Sequence, residues 1–86
     1  MVDTDKALKK LLGKSKNIGF HEFTAVIEAF GFSLSRRKGS HHIFRHKDIP
    51  ALINVQNFKG QAKPYQIAQF LALVEQYNLA IQEDEQ

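Results

Sequence analysis

The sequence contains no cysteine, which excludes disulfide bonds and every zinc site built on thiolate ligands. No apolar run approaches the roughly 18 residues of a membrane-spanning helix, so no association with a membrane is expected. The first ten residues, MVDTDKALKK, lack the apolar core of a secretory signal. Together these absences predict a cytoplasmic protein.

The length and composition indicate one small globular domain. The chain has 86 residues, of which 43% are hydrophobic and 24% are charged. That balance is typical of a folded protein with a thin core and not of a disordered one.

Positive charge is concentrated in the middle of the chain. The segment from Arg36 to Lys63 contains seven basic residues and one acidic residue, a net charge of +6, whereas the remaining residues sum to −3. A concentrated positive region attracts polyanions through phosphate contacts and counterion release. The alternative is that these basic residues only solvate one face of the domain.

Hydrophobic periodicity and turn residues predict the order (α)-α-β-β-β-α. A short helix is expected from Asp3 to Leu12, and a stronger one follows from Phe20 to Gly31, whose glycine suits a left-handed stop. Three strands are predicted in the tracts FSLSR, HHIFRH and ALINVQ. The last helix is expected to begin at Pro64 and to end near Asn78.

Short connections between the three predicted strands imply an antiparallel meander. Both long helices have one apolar stripe, so we expect them to pack on the same face of the sheet. The fold class predicted is therefore α+β, with a three-stranded antiparallel sheet, helices on one face, an open opposite face and a short extra N-terminal helix. A polar open face is tolerated in such sheets.

Three of the four histidines lie in the tract KGSHHIFRH, which suggests a metal site, RNA chemistry or a solvated surface. Side chains alternate along a strand, so His41 and His42 point to opposite faces. His42 and His46 share a face but lie ~13 Å apart at ~3.3 Å per residue. Zinc needs three or four converging ligands; a metal site is therefore not expected.

One histidine among arginines and lysines suits RNA cleavage by the 2′-hydroxyl of the RNA. That reaction needs a proton acceptor and donor, which histidine provides near neutral pH, and cations that stabilise the phosphate charge. Gly39 allows close approach to a phosphate, and Ser40 adds a hydroxyl. The alternative is a hydrogen-bonded surface histidine without chemistry.

Three other residues are interpreted as structural or surface residues and not as catalytic ones. His21 lies in the first turn of a predicted helix, where a cation opposes the helix dipole. His46 is expected at an exposed strand end, and Tyr65 is expected to pack or to lie beside a helix cap.

The tract GFSLSRRKGSHHIFRH follows an amphipathic helix ending in glycine, and it resembles the HicA family of toxins from bacterial toxin–antitoxin modules. The resemblance extends over about residues 20 to 78. It implies an α-β-β-β-α domain similar to double-stranded RNA-binding domains, an mRNA interferase (RNA endonuclease, hydrolase) activity and inhibition by a HicB-like antitoxin. The corresponding division of the chain is an N-terminal extension (1–18), the HicA-like domain (19–79) and an acidic tail (80–86).

The resemblance also implies the site residues. The catalytic histidine is expected in the pair His41–His42, with His41 first because it directly follows Gly-Ser, and His42 second. RNA is the expected partner besides the antitoxin, with no metal and no small-molecule cofactor. The alternative function is a non-catalytic RNA-binding or regulatory module that uses the same basic face. The residues expected to bind RNA are Arg36, Arg37, Lys38, Gly39, Ser40 and Arg45.

Overall fold

A computed structural model describes residues 4–13 and 17–82, and the predicted order of elements is confirmed. The predicted strands and helices differ from the observed ones only at their ends. The elements are α1 (Thr4–Leu12), α2 (Phe20–Ala29), β1 (Phe32–Lys38), β2 (His41–His46), β3 (Leu52–Gln56) and α3 (Pro64–Gln76).

Helix α2 forms because its apolar residues recur at helical spacing and because residues at both of its ends favour a helix boundary. Phe20, Phe23 and Ile27 are buried on one stripe of the helix. At the start, Glu22 accepts a hydrogen bond of 3.0 Å from the backbone N–H of Gly19, which satisfies one of the free donors of the first turn. At the end, Gly31 has a φ of +98°, the left-handed conformation that was expected to stop the helix.

Helix α3 begins with Pro64 in its first turn and buries Ile67 and Phe70. Asn78 has a φ of +52°, which confirms the predicted left-handed exit. The Phe70 ring meets three other rings edge to face at centroid distances of 5.5 to 6.0 Å, an arrangement favoured by the aromatic quadrupole. This aromatic group joins both long helices to the sheet; its other members are Phe23, Phe30 and Phe32.

The sheet is antiparallel with the strand order β1-β2-β3. Helices α2 and α3 cover one of its faces, here called the helix face, where four apolar strand residues are buried. The other face, here called the open face, carries no helix among the described residues. The predicted placement of both long helices on one side is therefore confirmed. The buried apolar strand residues of the helix face are Phe32, Phe44, Ile53 and Val55.

Strand β1 differs from the half-buried strand that its alternating sequence predicted. Only Phe32 is buried, and Leu34, which pairs with Phe44, is 47% exposed. Two features explain the difference. β1 is an edge strand, and the pairing with β2 shifts between Leu34 and Arg36, so that Ser35 is an extra residue of a β-bulge.

Helix α1 packs on the domain through buried Ala7 and Leu11. Its Lys10 forms a 3.0 Å ion pair with Glu22, and this hydrogen bond, together with the N–H of Gly19, lowers the pKa of Glu22. The same glutamate therefore caps α2 and ties α1 to it.

The predicted division into an extension, a domain and a tail remains a prediction. Residues 1–3 and 14–16 of the predicted extension and residues 83–86 of the predicted tail lie outside the described residues. The part of the tail that is described contacts the domain, because the Gln82 N–H donates to the Ala29 carbonyl at 2.7 Å. Within residues 4–13 and 17–82, no helix is long and apolar enough to cross a membrane.

Candidate functional site

The strand register determines which side chains share the open face. His41 pairs with Gln56 and with Lys38, Ile43 pairs with Asn54 and with Arg36, and residues paired directly across strands lie on the same face. Three basic residues therefore share this side of the sheet with one histidine: Lys38 and Arg36 lie beside it on β1, and Arg45 lies four residues further along β2. The open face contains Ser33, Arg36, Lys38, His41, Ile43, Arg45, Leu52, Asn54 and Gln56.

His41 is exposed on the open face, and its ring is held by a neighbouring strand. Its Nδ1 lies 3.2 Å from Oδ1 of Asn54. Because the amide oxygen can only accept, Nδ1 carries the hydrogen in this contact. In the neutral form of the ring, Nε2 is then the nitrogen with the lone pair, and it is the one that can accept a proton.

His42 lies on the other side of the sheet, as the predicted alternation required. It is half-buried beside α2, and its ring centroid is 4.8 Å from that of Phe20. Its Nδ1 donates to the backbone carbonyl of Ser40 at 3.2 Å. The two adjacent histidines are therefore not brought together, and His42 stabilises the turn that precedes it.

The turn between β1 and β2 is formed by Gly39 and Ser40 and is tied to the end of β3. Gly39 has a φ of +60°, and a Cβ there would meet no atom within 4 Å, so glycine is favoured by its backbone conformation. The Ser40 carbonyl also accepts the N–H of Asn57 at 2.9 Å, and its Oγ lies 3.4 Å from Nε2 of Gln56. These bonds fix the position of the turn relative to His41.

The expectation that His46 lies at an exposed strand end is wrong. His46 is only 5% exposed; its Nε2 donates to the Phe30 carbonyl at 3.1 Å, and its Nδ1 accepts the N–H of Asp48 at 3.0 Å. Both ring nitrogens are thus used, and the ring packs edge to face on Phe32. His46 joins the end of α2 to the β2–β3 turn, while His21 is exposed on α2 as expected.

The predicted basic residues are all exposed, but they do not share one face. Arg36, Lys38 and Arg45 lie on the open face with His41, whereas Arg37 pairs with His42 and belongs to the opposite side. The cations around His41 raise the local positive potential and favour a polyanionic ligand there.

Sequence reasoning did not identify Asn54 as a partner of His41. The asparagine lies 13 residues away, and no local motif marks it. The signal that could have found it is the register: once His41 pairs with Gln56, Asn54 is the diagonal neighbour on the same face.

Among the residues that the structure describes, no group of three or more histidine, aspartate or glutamate side chains is arranged to hold a metal ion. In the tract KGSHHIFRH the physical reason is that the His41 and His42 side chains lie on opposite sides of the sheet, so they cannot bind the same ion.

Comparison with known proteins adds a family to this geometry. A family model described as HicA toxin of bacterial toxin–antitoxin matches residues 20–75, which is more than half of the chain. The matched segment contains α2, the whole sheet and nearly all of α3. Searches of curated proteins and of solved structures give no match.

Proposed function

The chain belongs to the HicA family of toxins from bacterial toxin–antitoxin modules, and on this premise we propose that it is a metal-independent mRNA interferase acting in the cytoplasm. In this proposal His41 is the general base, and the open face binds the RNA strand. His42, the second candidate from the sequence, has the supporting role of holding the Ser40 carbonyl.

The observation that carries the proposal is the environment of His41. Its Nδ1 is engaged by Asn54, its Nε2 is available as an acceptor, and three cations share its face. A general base needs an accessible lone pair in a fixed direction, and a phosphate undergoing substitution needs positive charge nearby. His42 fits this role less well, because its ring packs against Phe20 on the helix face and its Nδ1 is bonded to the Ser40 carbonyl.

The chemistry proposed is cleavage by the RNA's own 2′-hydroxyl. Nε2 of His41 takes the proton from that hydroxyl, the O2′–P bond forms, and the P–O5′ bond breaks. The departing 5′-oxygen receives a proton from water, and the products are a 2′,3′-cyclic phosphate and a 5′-hydroxyl end. Arg36 and Lys38 stabilise the additional negative charge on the phosphate oxygens during the reaction. Arg45, four residues beyond His41 along the strand at ~3.3 Å per residue, contacts a neighbouring phosphate of the RNA strand.

A cleavage assay in EDTA tests this mechanism. Wild type is expected to cut single-stranded RNA, and His41→Ala is expected to lower the rate by about 10²- to 10⁴-fold, the usual contribution of a general base. His42→Ala is compared at matched folded concentration, and the exposed His21→Ala is the control. If cleavage requires added metal, or if His42→Ala abolishes it while His41→Ala does not, the mechanism is wrong.

The second candidate is an RNA-binding or regulatory module without cleavage, and the same basic open face supports it. It predicts that wild type binds RNA with a strong salt dependence and leaves it intact. The EDTA assay with an end-labelled RNA separates the two functions, because only the enzyme produces fragments that carry a cyclic phosphate.

Membership of the family also implies a cognate antitoxin. We propose that this HicB-like partner covers the open face, since contact with acidic groups there would both block His41 and neutralise the surrounding cations. The measurement is competition: the antitoxin should displace RNA from the His41→Ala variant. A ternary complex with RNA still bound would contradict occlusion.

A further inference from the structure

Two aromatic side chains and two lysines form a group at the end of the sheet, on the turn that follows β3 and at the start of α3. The backbone N–H of Phe20 donates to the Gly60 carbonyl of this turn at 2.9 Å, which also ties the group to the start of α2. Phe58 and Tyr65 are 50% and 57% exposed, although both are large rings. Lys63 Nζ lies 5.2 Å from the Phe58 ring centroid and 5.9 Å from that of Tyr65, and Lys59 Nζ lies 5.6 Å from the Phe58 ring. We call Phe58, Lys59, Lys63 and Tyr65 the aromatic–lysine cluster.

The backbone presents Phe58 on a tight, hydrogen-bonded turn. Phe58 and Gln61 exchange two backbone hydrogen bonds of 3.1 and 3.0 Å, and the two residues between them, Lys59 and Gly60, both have positive φ. Positive φ at both central positions is the geometry of a type I′ hairpin turn. Asn57 Oδ1 also accepts the Gly60 N–H at 2.8 Å. The exposed ring is thus carried by a constrained turn, which lowers the entropy lost when a ligand binds.

The chain connects the aromatic–lysine cluster to the end of β3, at the residue that pairs with His41. Gln56 is the cross-strand partner of His41, and Asn57 donates its N–H to Ser40, the residue before His41. Phe58 is two residues beyond Gln56, a span of at most ~7 Å of extended chain. Gln56 is further held because its backbone N–H donates to the buried Gln66 of α3 at 3.0 Å. These hydrogen bonds fix the backbone before Phe58 relative to the strand that carries His41.

From this arrangement we infer that the aromatic–lysine cluster binds an unpaired base of a single-stranded RNA next to the phosphate that His41 attacks. The inference rests on the proposed function and adds to it a subsite for one base of the RNA. Proteins that bind single strands combine aromatic rings, on which bases stack, with cations that contact the backbone. Both components are present here, and Phe58 is the stacking residue, with Lys59 and Lys63 on the flanking phosphates.

RNA binding would exchange the contacts of these lysines, which lie over the aromatic rings in the free protein. An exposed cation–π contact is weak, whereas a stacked base combined with a lysine–phosphate contact is stronger. Binding therefore replaces the ammonium group on the Phe58 ring by a base, and the ammonium group moves to a phosphate. Duplex RNA cannot use this site, because its bases are already stacked on one another.

The experiment measures binding separately from cleavage. The probes are a 2′-O-methyl oligouridine of about eight nucleotides, within the range of single-strand sites, and the same backbone without bases; neither offers a 2′-hydroxyl. Phe58→Leu keeps apolar bulk but removes the π-face, and Leu12→Ala on α1 is the control for loss of an exposed apolar group. Wild type should bind the base-bearing probe more tightly, and Phe58→Leu should weaken that probe alone, by about 5- to 150-fold.

A spectroscopic signature completes the test, because the chain has no tryptophan. Phe58→Trp retains a stacking ring and introduces a single fluorophore, so the base-bearing probe should quench its emission and the abasic probe should not. The inference is overturned if Phe58→Leu affects both probes equally or neither, or if Phe58→Trp is quenched by both. If that happens while cleavage still depends on His41, the proposed function survives; if wild type binds no RNA, both fail.

Discussion

Replacing Arg45 by glutamine is expected to weaken RNA binding and to reduce its salt dependence by a calculable amount. Arg45 is exposed on the open face, where it pairs across the sheet with Leu52 and Ser33. Glutamine preserves much of the length and the polar character of the side chain, so the change removes mainly the charge. The cations expected to meet phosphates in the wild type are Arg36, Lys38, Arg45, Lys59 and Lys63.

The magnitude follows from counterion release. If five cations each neutralise one phosphate of a single strand, the slope of log K against log salt is about −3.5, at about 0.7 per contact. Affinity should then fall about 130-fold between about 50 and 200 mM salt for wild type, and about 50-fold for Arg45→Gln, whose slope is about −2.8. Fluorescence anisotropy with a labelled, non-cleavable RNA over that range measures both slopes.

Arg37→Gln is the matched control for this experiment. Arg37 has the same charge and lies between two of the open-face cations in sequence, but it pairs with His42 on the other side of the sheet. Its removal should leave the slope unchanged. Equal changes for Arg37→Gln and Arg45→Gln, or no change for Arg45→Gln, would show that RNA does not follow the open face.

Three further changes test other parts of the structure. His46→Phe keeps a ring but leaves the Phe30 carbonyl and the Asp48 N–H without the histidine as a partner. It should lower the free energy of unfolding, measured in urea, by about 2–5 kcal/mol. The control His21→Phe, at an exposed position, should change that free energy by less than about 0.5 kcal/mol. The lowered pKa of Glu22 stabilises the fold above the unfolded-state value of about 4.3, and this contribution is lost as the pH falls through the lower folded-state value. The stability difference between wild type and Glu22→Gln should therefore be present at neutral pH and shrink in acid. Asn54→Ala frees the His41 ring and should slow cleavage, and Asn54→Asp, which keeps an acceptor oxygen, should slow it less; equal rates for all three proteins would exclude a positioning role.

The sequence was sufficient to predict the order of elements and the layer arrangement. Apolar residues at helical spacing, glycine at the end of α2 and proline at the start of α3 are local signals, and each is observed at the expected place. Alternation along β2 also predicted correctly that His41 and His42 diverge, since no bulge interrupts its pairing with β3.

Tertiary structure was required to determine which of the two histidines lies on the open face. His41 is followed on its face by Ile43 and Arg45, and His42 on its face by Phe44 and His46, so each face has one apolar residue and the pattern alone is balanced. Because Phe44 is buried against the helices, His42 lies on the helix face and His41 on the open face. The burial of His46 depends similarly on a carbonyl 16 residues away in sequence, which no local pattern reveals.

The uninterrupted pairing of β2 with β3 affects which strand registers can occur among the folded molecules. A slip of one residue would exchange the two faces, presenting His42 to solvent, turning Arg45 toward the helices and removing Phe44 from the core. The loss of Phe44 alone would cost about 1.5–3 kcal/mol, and a buried arginine without a partner would cost more. Misregistered chains are therefore expected to unfold. Errors in folding should then appear as a smaller yield of folded protein, not as a soluble fraction with its imidazoles exchanged.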